Sequence, residues 1–351
     1  MNRKSFALSL LLAFALMSAP AINAQSKTAS NKTASATVNA STASALSLLP
    51  RSDFVAFVNV KRLITEAAPK VLADNPAKLA EFNAEIDKFK AQTGIDARMF
   101  ENIAVGMRYQ HPSPRVTTTD TVVIANGSFS AGALLAAARL ASKGKYQEQK
   151  YSGTTLYVFN VQDHIKMLGL FNMKVGEVAA AVLDANTLAI GEPASVRAAL
   201  DNKAQGRVNN DLIQLATRSP NALMGFGANV PPALTASADF GNEEISKIIG
   251  SIRQAYGAIG TTADGFDMLA VARTEKAEQA QTLSETLGAL KQFGGMMIPQ
   301  LPAETGQLAQ AALDSLKISS AGNETLIRLE LKQADISTLM RVLQPKTAGT
   351  R

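Results

Sequence analysis

Apolar residues recur along the chain with two spacings, and the change from one to the other outlines a series of elements. Asp53 to Val60 is a β-rich run, whereas after Asn75-Pro76 the residues Leu79, Phe82, Ile86 and Phe89 fall three and four apart, which predicts a helix that Gly94 stops. Asn102 to Tyr109 and Thr119 to Ala125 read as strands joined by a polar, Pro-bearing loop. A helix over Ser130 to Lys143 is predicted to bury Leu134, Leu135, Ala138 and Ala141. Two hairpins follow, one turning at Ser152-Gly153 and one at Ala185-Asn186. Helices are then predicted from Gly191-Glu-Pro193 to Leu200 and from Asn209 to Arg218.

The second half echoes the first at two places. Gly227-Ala228-Asn229-Val230 resembles Phe57-Val58-Asn59-Val60, and Leu269 to Arg273 resembles Ile103 to Arg108, each of the latter pair following a long amphipathic helix in this reading. The second of those helices is predicted over Glu243 to Ile259, with Ile245, Ile248, Ile249, Ile252 and Ile259 along one face. Another runs from Lys276 to Phe293; strands at Ile318 to Ser320 and Thr325 to Leu331 flank Gly322-Asn323, and a helix over Ile336 to Leu343 closes the chain. Strands, helices and hairpins in this order predict an α+β fold, with antiparallel sheets, helices packed on one face, and two related halves. One continuous sheet built by both halves is the alternative.

The ends of the chain follow different rules. Arg3 and Lys4, the apolar stretch of 14 residues from Phe6 to Ala19, and the small-residue exit ending at Ala24 have the three parts of a cleaved signal peptide. The apolar stretch is shorter than the ~20 residues that span a bilayer, and no later run matches it, so no transmembrane helix is expected after cleavage. From Ser26 to Ser47, 16 of 22 residues are Ala, Ser or Thr, a composition that predicts a flexible leader. The expected organisation is a signal peptide over 1–24, a disordered leader over 25–48, α+β domains over 49–219 and 220–344, and a tail over 345–351. An extracytoplasmic location follows, in the periplasm, the cell envelope or outside the cell.

Charge changes the picture only when it is placed. The formal net charge is +6, but six of the 35 basic residues lie outside 50–344, which leaves 29 basic against 29 acidic side chains within it. No basic run occurs there, so nucleic-acid binding is not expected. With no Cys in the chain there is no disulfide, thiolate nucleophile, Cys-ligated metal or lipidated Cys. His111 sits in a Pro-rich segment read as a loop and His164 at a strand end; no Gly-x-Ser-x-Gly elbow, phosphate-binding glycine loop or His-Glu-x-x-His motif is present. Gly225-Phe-Gly227 lies in or beside a strand, Asp264-Gly-Phe-Asp267 reads as a turn, and Glu243-Glu244 suits a helix start. No catalytic residue, cofactor or metal site is assigned.

Two apolar segments stand out. Met167, Leu168, Leu170, Phe171 and Met173 lie between Lys166 and Lys174, in a connection between strands. Met296, Met297 and Ile298 lie in a Gly- and Pro-bearing link between two helices. Adaptable methionines suit a surface that meets a lipid, an acyl chain or another protein, although the same residues could plug the end of a sheet. Four further stretches, Leu49 to Val60, Asn126 to Phe129, Tyr151 to Tyr157 and Leu188 to Asp201, together resemble uncharacterised exported bacterial proteins grouped as domains of unknown function. The resemblance implies an extracytoplasmic bacterial protein and carries over no catalytic residue. The expected function is a non-catalytic envelope protein that binds a protein partner or a hydrophobic ligand, compatible with peripheral envelope association. An enzyme with a carboxylate-based site and a purely structural surface protein are the alternatives.

Overall fold

A computed structural model describes residues 40–113, 116–160, 164–167, 171–174, 176–205, 209–232 and 243–342. The segments expected to be a signal peptide and a tail, and most of the expected leader, lie outside these residues. The chain is α+β and divides into two compact units, one holding described residues 40–66 and 77–229, the other 67–76, 230–232 and 243–342. The division falls after Asn229 rather than at 219/220, because the strand Ala222–Asn229 pairs with Phe54–Asn59.

In the first unit the elements are α1 (Ala40–Ser47), β1 (Phe54–Asn59), α2 (Pro76–Thr93), β2 (Phe100–Ser113), β3 (Val116–Gly127), α3 (Ala131–Ala141), β4 (Tyr146–Tyr151), β5 (Thr154–Asn160), β6 (His164–Met167), β7 (Phe171–Lys174), β8 (Glu177–Asp184), β9 (Thr187–Gly191), α4 (Pro193–Gln205), α5 (Asn210–Ala216) and β10 (Ala222–Asn229). Eight strands pair antiparallel in the order β10-β1-β2-β3-β9-β8-β5-β4, and β6 and β7 form a separate two-stranded ribbon. Local sequence explains the turns. Ser152 and Gly153 both have positive φ, 47° and 77°, the geometry that matches the right-handed twist of a two-residue hairpin. Ser130 caps α3 by accepting from the Ala133 amide at 3.3 Å.

Alternation along the strands defines two sheet faces. Val55, Phe57, Ala104, Val122, Ile124, Leu156, Val158 and Ala189 share one face and are buried. Helices α1, α4 and α5 pack there. Glycines let α5 approach: a Cβ at Gly225 would lie 2.1 Å from the Ala216 carbonyl oxygen, and one at Gly227 2.5 Å from that of Leu212. The predicted strand glycines therefore make a close helix-to-strand contact. Asn209 ties the same face together, its Oδ1 accepting from the Ser52 amide at 3.0 Å and its Nδ2 donating to Pro50 O at 2.7 Å and Leu49 O at 3.2 Å.

Several expectations are corrected here. Eight residues of the expected leader, Ala40–Ser47, form α1, in which Ala45 and Leu46 are fully buried and the Thr42 hydroxyl donates to Asn102 Oδ1 at 2.7 Å. Composition predicted flexibility, but burying Leu46 and nearby Leu49, at roughly 2 kcal/mol each, anchors the segment to the sheet. In α3 the buried residues are Ala131 and Leu135, while Ala138 and Ala141 are exposed and Leu134 is half-buried. His111 falls within β2, which runs to Ser113, rather than in a loop.

The second unit contains α6 (Glu243–Gly250), β11 (Ile252–Thr261), β12 (Gly265–Thr274), α7 (Ala277–Met297), α8 (Ala303–Ser315), β13 (Lys317–Ala321), β14 (Glu324–Lys332) and α9 (Gln333–Val342). Its strands pair antiparallel in the order β13-β14-β12-β11. The helix expected over 243–259 stops at Gly250, and Ile252 and Ile259 lie in β11. Pairing of Tyr256 with Val271 and Ile259 with Met268 overrides the helical spacing of the isoleucines. The echo at Leu269 to Arg273 consequently follows a strand and not a helix. Thr325, fully buried, fixes α7 on the sheet by donating to Ala280 O at 2.7 Å.

Candidate apolar binding face

The opposite face of the first unit's sheet is apolar as well. Antiparallel sheets commonly leave one face polar and solvated, so two apolar faces require cover on both. At one end α3 supplies it: Phe129, Ala131 and Leu135 bury Ala125, Ala180 and Leu188, with Tyr157, Phe159 and Ile103 packed at the margin. Arg139 of α3 reaches over the rings of Tyr157 and Tyr146, at 4.7 and 5.2 Å from their centroids.

At the other end the apolar side chains are half-exposed. The register places Phe54, Ala56 and Val58 of β1, Val105 and Met107 of β2, Val123 of β3, Ile190 of β9, and Met224 and Phe226 of β10 on this face. Ile190 is 37% exposed, and Phe54 stacks on Phe226 with ring centroids 6.1 Å apart. From Val58 to Phe54 the area extends roughly 13 Å along the strands and, over four strand spacings, roughly 19 Å across. The sequence reading missed this face. Its signal is the unbroken apolar character of Phe-Val-Ala-Phe-Val and Val-Val-Ile-Ala, which fills both faces where alternation would fill one.

Polar groups gather at the Phe54 end of the same face. Tyr109 follows Met107 on β2, and Thr121 pairs with Met107 across the β2–β3 ladder. Thr121 is 7% exposed, and its hydroxyl has no hydrogen-bond partner among the described residues. Burial, and secondarily the charge of Asp53, pushes the Tyr109 phenol above its ordinary range, so it remains protonated. Asp53 accepts from the Tyr109 amide at 2.9 Å, and Glu192 accepts from the Thr121 amide at 2.5 Å. Burial raises the Glu192 carboxyl, the Thr121 amide opposes this, and Asp120 adds to it. Both carboxylates thus hold backbone.

The predicted apolar residues fall in two places. In the ribbon, Met167 pairs with Phe171 and Ile165 with Met173, so these positions share one face while His164, Lys166, Asn172 and Lys174 occupy the other. Leu168 and Leu170 lie outside the described residues. In the second unit, α7 continues through Met297 and passes into a 3₁₀ turn, Ile298–Gln300, so the expected flexible link is helical. Met296 is 66% and Met297 45% exposed, whereas Ile298 is half-buried. Leu290, Phe293 and Leu301 are exposed beside them, which places five of the nine exposed large apolar residues among the described residues in one stretch of twelve. The one charged residue between Glu285 and Glu304 is Lys291, which donates to Leu316 O at 3.0 Å; burial lowers its pKa.

Elsewhere in the first unit a polar cavity of about 430 Å³ is lined by Asn59, Lys61, Arg62, Thr65, Glu66, Glu101 and Asn102. Arg62 and Glu66 pair across it at 2.9 Å, and Arg62 also donates to the Asn221 carbonyl at 3.1 Å. Among the described residues no three His, Asp or Glu side chains gather as a metal site, and no helix is long and apolar enough to cross a membrane.

No protein-family model and no curated protein matches this sequence. Among solved structures the chain is similar to TP0453. Crystal form III gives a TM-score of 0.41 at 9% identity, over 85% of this chain and 98% of that one. Crystal form I gives 0.42 at 8% identity, over 88% and 99%.

Proposed function

We propose that the chain is an exported, non-catalytic cell-envelope protein that binds a hydrophobic ligand on the half-exposed sheet face of its first unit. The observation that carries this reading is the set of apolar residues on β10, β1, β2, β3 and β9, opposite a face already covered by helices. Burying apolar surface contributes about 25 cal/mol per Å², so an aliphatic chain laid across these strands is held without any charged contact. The signal-peptide pattern of residues 1–24 supports export. The test is binding of a hydrophobic fluorescent dye to the mature chain, compared with a Val123→Thr/Phe226→Gln variant whose circular dichroism is unchanged. Loss of dye binding in the variant is expected. Dye binding that is undiminished by the double substitution, or no binding by the parent chain, overturns the reading.

A protein partner is the second reading, supported by the exposed Leu290, Phe293, Met296, Met297 and Leu301 of the second unit. Such a stripe, with its single lysine already bonded, suits another apolar protein surface. A photo-crosslinking residue at position 293 in intact cells should give one discrete protein adduct. Absence of any adduct speaks against a partner at this stripe.

A further inference from the structure

The polar end of the apolar face specifies what kind of ligand it takes, an inference that rests on the hydrophobic-ligand reading. A hydroxyl buried without a partner is destabilising, and Thr121 carries one at a position level with Met107, where the apolar surface ends. One residue pair further along the same face are Tyr109 and Thr119. Tyr109 is half-buried and held in its protonated, donating form. Two hydroxyl donors therefore border one end of a surface whose other positions, Phe54, Ala56, Val105 and Val123, are aliphatic or aromatic. The charges beside these donors are acidic: Asp53 acts on Tyr109, and Glu192 is bonded to the Thr121 amide.

We propose that the face binds an amphiphile lengthwise, its apolar chain along β1 and β2 and an uncharged, hydrogen-bond-accepting head, such as an ester carbonyl, at Thr121 and Tyr109. Ile103 packs against the cluster under α3, so from Val105 to Tyr109 the strand leaves roughly 13 Å for chain and head together. A carboxylate head would meet Asp53 and Glu192, and like charges disfavour it. The head is thus selected by a donor pair in an acidic setting, and the chain by area.

Native mass spectrometry of the mature chain with a monoacylglycerol, the fatty acid of the same chain, and the corresponding alkane tests this. The monoacylglycerol should bind tightest, and Thr121→Val and Tyr109→Phe should each weaken it about threefold to tenfold while leaving alkane binding unchanged. Without ligand, Thr121→Val should unfold at the same or a higher temperature, because it removes an unsatisfied group. A fall in that temperature would show that the hydroxyl is satisfied within the protein and overturn the proposal. Tighter binding of the fatty acid at neutral pH, or equal monoacylglycerol binding by all three chains, would also overturn it while leaving the hydrophobic-ligand reading intact. Failure of every probe to bind would remove that reading as well.

Discussion

Replacing Gly225 by Ala tests the packing that holds the apolar face in place. Gly225 lies on the helix-covered side of β10, between Met224 and Phe226 on the other side. A Cβ there would sit 2.1 Å from the Ala216 carbonyl oxygen and 2.7 Å from Phe57 Cε1. The first contact is with backbone at the end of α5 and the second with a 5%-exposed core ring, so neither partner can turn away cheaply. To restore ordinary van der Waals separation the helix end must move by more than 1 Å, which disturbs Leu212, Leu215 and Ala216, all buried. Overpacking of this kind costs about 1–3 kcal/mol, and the backbone contact puts the expectation near 3. Equilibrium urea unfolding measures it, with Gly132→Ala as the control. Gly132 is exposed within α3 with nothing near its would-be Cβ, so that change should stabilise by about 0.5–1 kcal/mol. If the two variants unfold within 0.5 kcal/mol of each other, the close approach of α5 to β10 is wrong. Gly225→Ala should also weaken dye binding, because β10 carries part of the floor of the apolar face.

Three further outcomes are expected. Asn209→Ala leaves the Ser52 amide and the Leu49 and Pro50 carbonyls without their partner and should cost about 2–4 kcal/mol in the same urea experiment; a change under 1 kcal/mol would show that water replaces the side chain. Glu192 has its folded carboxyl raised, mainly by burial, so its contribution to stability is fully present below the unfolded-state value of about 4.3 and is lost as pH rises through the higher folded value. Glu192→Gln cannot ionise, so its melting temperature should gain on the parent's as pH rises across that window, and a difference independent of pH would contradict the raised carboxyl. A chain beginning at residue 48 should melt several degrees below one beginning at residue 40, since α1 buries Leu46 and bonds Asn102; equal melting would show that α1 is dispensable.

Much of the architecture is legible in the order of the residues because its signals are local. Ser152-Gly153 can adopt two positive φ angles, Pro76 can open a helix, and Leu79, Phe82 and Ile86 lie on one side of it. The same local reasoning fails where a distant partner decides. The isoleucines over 245–259 have helical spacing, but β12 draws Ile252 and Ile259 into a strand. The segment over 40–47 has the composition of a linker, but the sheet of the first unit accepts Leu46 and Asn102 meets Thr42. The methionines of α7 stand out in the sequence by type and spacing, yet the fold is what turns Met296 and Met297 outward and Ile298 partly inward.

The class of fold, the neutral charge of the body, the exclusion of cysteine chemistry and the candidate apolar segments all follow from composition or from residues a few positions apart, and so can be read before any fold is known. Long-range pairing, by contrast, aligns the second faces of strands far apart in sequence, ending at Asn59, Gly127, Gly191 and Asn229, into one half-exposed apolar surface. The same register puts Thr121 and Tyr109 at neighbouring positions on that face, where the apolar residues end. Register between strands sets which side chains are neighbours, and register is fixed by pairing that no short window of sequence contains.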